Sequence, residues 1–124
     1  MEACPHPTFG IRYSDLVSGV IILLAASCGP SYKAPPVTPQ LVKISPTPVT
    51  ELERGFAIHQ AKCAKCHSFE NPADYDASEL SLEIMPEMAR KAKLNMADEK
   101  AVLAYLLAAR KMQAAEKSAA PAGA

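Results

Sequence analysis

Cys63-Ala64-Lys65-Cys66-His67 is the stretch of this 124-residue chain whose residue types and spacing carry chemistry of their own. Two cysteines three apart, with a histidine directly after the second, form the pattern of c-type haem attachment. On a helix, Cys63 and Cys66 lie on one face about a turn apart. Both sulfurs then reach the two vinyl groups along one edge of a porphyrin and form thioethers. His67, four residues after Cys63, shares that face and can offer an imidazole nitrogen to the iron, the usual protein ligand to haem. A CxxC pair also serves in zinc sites and in thioredoxin-like redox pairs. Zinc would need further Cys or His ligands, and downstream of His67 the chain has neither. A redox pair sits at the strand-to-helix junction of a βαβ pattern, and no such pattern is visible.

The rest of the chain divides by composition into what must position that motif and what must deliver it. In residues 1–28 a single cation, Arg12, precedes the apolar run from Leu16 to Ser27. The run is too short for the ~20 residues of a spanning helix and suits the apolar region of an export signal. Residues 29–49 carry Pro30, Pro35, Pro36, Pro39, Pro46 and Pro48 with Ser and Thr between, which predicts an extended spacer. Residues 50–112 hold the folding unit and residues 113–124 an Ala-rich tail without fixed structure. Roughly 60–70 residues is a marginal size for a polypeptide core, and a covalently held apolar cofactor would relieve that. Thirteen basic and thirteen acidic side chains leave no net charge, which gives no support for nucleic-acid binding.

Within 50–112 the pattern predicts about three helices and no strands, an all-α domain. Thr50 with Glu53 fits a capping box opening the first helix, which runs to the Cys-x-x-Cys-His motif. Gly55 inside it costs about 1 kcal/mol relative to Ala, a sign that another helix crosses closely there. Asn71-Pro72 marks a turn, and Glu83 to Lys93 a short helix interrupted near Pro86. Asn95 is the candidate N-cap of the last helix, Met96 to Met112. Its apolar stripe is Val102, Leu103, Tyr105, Leu106 and Leu107, with Lys100, Arg110 and Lys111 towards solvent. His59 reads as a packing histidine, and Arg90, Lys91, Lys93, Lys62 and Lys65 as a solvated face or a ring around a cofactor edge.

From about Gly55 to Lys111 the chain resembles monohaem class I cytochromes c, carried by the Cys63–His67 motif, Gly55 eight residues before it, and the Leu94…Tyr105 pattern. His59 departs from that pattern, standing where an aromatic is common. The resemblance implies a small fold wrapped round one covalently attached haem c, with His67 on one side of the iron and a methionine on the other. Met88, in a stretch similar to the Met-x3-Ala-x-Leu of a compact subgroup, is the first choice for that ligand; Met85 and Met96 are the others. The end of the export segment, Leu24-Ala25-Ala26-Ser27-Cys28, resembles a bacterial lipobox, which implies acylation of Cys28. Gly29 after it implies the outer membrane in a Gram-negative host.

These readings lead to one expectation: an electron-transfer protein, not an enzyme, tethered through Cys28 on the periplasmic side of a bacterial membrane. It would be a monomer exchanging single electrons with redox proteins. The alternatives are a gas sensor or small haem enzyme with an open iron site, and a fixed haem subunit of a respiratory oxidoreductase.

Overall fold

The computed structural model describes residues 32–119, so the export segment, Cys28 and residues 120–124 lie outside the description. The elements are α1 (Pro39–Ile44), α2 (Val49–Lys62), a 3-10 turn (Cys63–Lys65), a second 3-10 turn (Pro72–Asp74) and α3 (Ala77–Glu79). A π-helical turn (Leu80–Ile84) then leads into α4 (Met85–Lys91), and α5 (Met96–Ala119) follows. No strand occurs among the described residues, and the fold is all-α.

The frame is the crossing of α2 on α5. A Cβ placed on Gly55 would lie 2.1 Å from the Ala101 carbonyl oxygen and 2.9 Å from the Tyr105 Cβ. Only glycine lets the two backbones come that near. The face of α5 that meets α2 and α1 is correspondingly small: Ala101, Ala108 and Ala109 are buried beside Val102 and Tyr105. Leu103, Leu106 and Leu107, expected at the centre of the stripe, are only half-buried. Phe56 meets Tyr105 edge-on, with ring centroids 5.4 Å apart. Asp98 ties the other end of the crossing, accepting from Arg54 at 2.7 Å. Asn95 caps α5 as expected, its Oδ1 accepting from the Asp98 N–H at 2.9 Å.

The proline-rich stretch departs from expectation. From Tyr32 onward it lies along α5 as a strap. Thr38 caps α1, accepting from the Leu41 N–H, and Pro39 takes the first helical position, where its missing N–H costs nothing. Leu41 is fully buried against Leu52, Tyr105 and Ala109, with Val37 and Val42 beside it. Burying a leucine stabilises by about 2 kcal/mol, enough to hold a short segment that prolines have already stiffened. The Tyr105 hydroxyl donates to the Pro35 carbonyl at 2.8 Å, and Gln113 Nε2 donates to the Tyr32 hydroxyl at 3.1 Å. Burial pushes the Tyr105 hydroxyl well above its ordinary pKa, so it remains a donor.

Three further boundaries differ. α2 starts at Val49 after Pro48, so Thr50 is already inside the helix and makes no cap. α5 continues through 113–119, where Ala114, Ala115, Glu116 and Lys117 are all strong helix formers. The helix expected from Glu83 begins instead at Ala77, where Asp76 and Glu79 form a capping box. Pro86 does not interrupt it. In a regular helix its ring would strike the carbonyl of Leu82, and the wider π-helical turn just before it relieves that contact. α4 closes in a Schellman motif: Leu94 N–H donates to Ala89 O at 2.9 Å and Lys93 takes the left-handed conformation at φ 53°.

Candidate functional site

Cys63, Cys66 and His67 sit where α2 tightens into its terminal 3-10 turn. In that geometry residues i and i+3 eclipse, which turns Cys63 and Cys66 to the same side. Both are free thiols, Cys63 half-buried and Cys66 exposed. Burial, and then the neighbouring Cys66, push the Cys63 thiol up, which keeps it protonated at neutral pH. His67 Nδ1 lies 2.7 Å from the Ser68 carbonyl oxygen. A carbonyl only accepts, so Nδ1 carries the hydrogen and Nε2 keeps a free lone pair, the arrangement that orients a metal-binding imidazole.

The motif opens into a cavity of about 520 Å³ with a mainly apolar lining, well inside the ~300–1,000 Å³ of small-molecule sites. His59, Cys63, Cys66 and His67 form one wall. Leu80, Ile84, Met85, Met88 and Ala92 form another, with Phe69, Pro72 and Tyr75 closing the side and Leu106 behind. Two thiols and two imidazoles thus share a cavity with two thioethers. Met85 is 2% exposed and packed with Ala89 and Val102, whereas Met88 is half-buried. Met96 is 86% exposed and does not line the cavity.

The residues present fit a haem better than a bare ion. Among the described residues no group of three or more His, Cys, Asp or Glu side chains is placed to hold a metal ion. The apolar lining and soft sulfur donors suit a large apolar group bonded at its edge and ligated at its centre. Of the cations expected around a cofactor edge, Lys62 and Lys91 reach the cavity. Lys91 and Arg90 are both paired with Glu87, at 3.2 and 2.8 Å.

Arg110 was expected to face solvent and does not. Its Nε donates to the Tyr75 carbonyl at 2.6 Å and its guanidinium lies 3.7 Å from Asp76. It ties the loop that closes the cavity to α5. Tyr75 in turn donates to Glu70. Nothing in the local pattern around Arg110 distinguishes it from a solvated arginine, so only the tertiary fold reveals this role.

His59 is a packing residue, 6% exposed, stacked on Phe69 at 4.3 Å and tilted against Tyr105 at 5.6 Å. Its Nδ1 is buried without a partner. Burial lowers its pKa to about 4. The unfolded chain takes up a proton near 6.5 and the folded chain only near 4, so stability falls as pH drops through that window. The expected loss approaches 3 kcal/mol, at about 1.4 kcal/mol per pKa unit. Urea midpoints at pH 7 and 4.5 measure it, and His59→Phe should remove most of the difference. An unchanged pH dependence in that variant would assign the acid sensitivity to other groups.

A scan against protein-family models finds no match to this chain, and searches of curated proteins and of solved structures find none. Among the described residues no helix is long and apolar enough to cross a membrane.

Proposed function

We propose that the chain is a c-type cytochrome that carries single electrons. One haem c is held by Cys63 and Cys66, with His67 as proximal and Met88 as distal ligand, and the chain is tethered through Cys28 outside the cytoplasm of a bacterium. The observation that carries this reading is the meeting, around one apolar cavity, of the Cys63/Cys66/His67 wall and the Met85/Met88 wall. The glycine-mediated crossing at Gly55 and the buried Tyr105 support the likeness to class I cytochromes c.

When bound, the iron supplies reversible one-electron exchange. The protein's own residues do the rest. Cys63 and Cys66, both free thiols, would hold the group, since each S–H can add across a vinyl double bond without an oxidant. Ser68 holds the His67 ring through Nδ1 and raises the basicity of Nε2. Met88 would offer the iron a thioether, a ligand that favours the reduced state and would leave no place for a substrate, which is why the reading is a carrier and not an enzyme. Phe69, Leu80, Ile84 and Leu106 keep water from the group.

Co-expression with a bacterial haem-attachment pathway tests the reading. The protein should retain its haem through acid–acetone extraction. Cys63→Ala together with Cys66→Ala should hold none and should lose cooperative unfolding, because the core is too small without it. Recovery of a stable, cooperatively melting double variant would count against a haem-dependent fold, and a wild type that releases its haem would end the proposal.

A further inference from the structure

A second concavity, of about 430 Å³, lies between the α1–α2 link (Ile44 to Thr47) and α5, and shares no lining residue with the haem cavity. Its floor is apolar. Leu103, Ala104 and Leu107 are half-buried there, and Ile44 at its edge is 37% exposed. Lys100, Ala104, Leu107 and Lys111 follow helical spacing, so the two lysines stand at either end of one face, about 16 Å apart. The lining contains Lys100, Arg110 and Lys111 and no acid. Arg110 is occupied by Tyr75 and Asp76, whereas Lys100 and Lys111 form no ion pair among the described residues.

We propose that this face docks on an anionic phospholipid surface, Ile44, Leu103 and Leu107 meeting the acyl boundary while Lys100 and Lys111 reach the headgroups. Apolar side chains flanked by lysines whose stems can lie along the interface suit a lipid surface. Charge complementarity selects this occupant: Lys100 and Lys111 stand at either end of the face, unpaired among the described residues, and its lining holds no acid. The haem cavity is lined by other residues and stays free for redox partners.

Co-sedimentation of the full-length, haem-loaded protein with vesicles tests this, comparing pure phosphatidylcholine with a phosphatidylglycerol mixture. Wild type should partition more strongly onto the anionic vesicles. Lys100→Gln with Lys111→Gln should lower that partition by about 30-fold, as expected for two lysines near a charged surface, and leave binding to phosphatidylcholine unchanged. Cys28→Ser, run in parallel, should lower partition onto both vesicle types by one common factor. If Cys28→Ser has no effect while the lysine pair does, the anchor is wrong and the lipid face stands. Equal partition of wild type onto both vesicles, or indifference to the lysine pair, overturns the lipid face whatever Cys28 does. So does a soluble acidic protein that shields Lys100 and Lys111 from acetylation where anionic vesicles do not.

Discussion

Gly55→Ala is expected to destabilise the protein by more than about 3 kcal/mol, beyond the usual range for an overpacked core. Two effects oppose each other. Alanine is the better helix former by about 1 kcal/mol, and in an exposed helix that would decide the sign. Here the new methyl carbon would stand 2.1 Å from a backbone carbonyl oxygen, with the Ala101 carbonyl carbon at 2.7 Å. No rotamer change moves a backbone carbonyl, so α2 and α5 would have to separate along a face built from alanines and Tyr105. Urea unfolding followed by helical circular dichroism measures the effect. A midpoint equal to or above wild type would mean that the helices do not cross at this residue.

Met88→Ala is expected to change the chemistry and Met85→Ala the packing. In the haem-loaded protein, loss of the distal thioether should abolish the weak far-red band of ferric iron–sulfur bonding. It should also open the ferrous iron to carbon monoxide and lower the reduction potential. Met85 is almost fully buried among Ala89 and Val102, so its truncation should cost about 2–5 kcal/mol with the spectrum unchanged. If the two variants exchange these outcomes, Met85 is the ligand and the carrier reading survives. If wild type itself lacks the band and binds carbon monoxide without delay, the iron is open. A sensor or small haem enzyme then replaces the carrier.

Cys63, Cys66 and His67 were singled out by residue type at fixed short spacing, and the structure brings all three to one cavity. Gly55 was legible for a similar reason, because a glycine in mid-helix is costly unless something lies against it. The strap was missed because six prolines outweighed one leucine. The signal that was present, Thr38-Pro39 as cap and first helical residue ahead of Leu41-Val42, is short and depends on a distant partner. The alanine face of α5 was missed because the apolar stripe was ranked by side-chain size, while a close crossing selects small residues. The continuation of α5 past Met112 could have been read from the helix propensity of Ala114, Ala115, Glu116 and Lys117. The π-helical turn could not, since fitting a proline at position 86 depends on geometry set five residues earlier.

The strap also changes how far a tethered domain can roam. Were residues 29–49 extended, Cys28 and Thr50 would stand up to about 70 Å apart, and the domain would sweep a wide hemisphere above its anchor. With Tyr32 held on α5, only four residues separate Cys28 from the packed chain, a reach of at most about 14 Å. The volume searched scales with the cube of that reach and falls about a hundredfold, so the local concentration at the membrane rises by a similar factor. If Cys28 is the anchor proposed above, a domain on so short a leash would meet partners in the same membrane by lateral diffusion, and partners dissolved in the surrounding fluid would have to come to it.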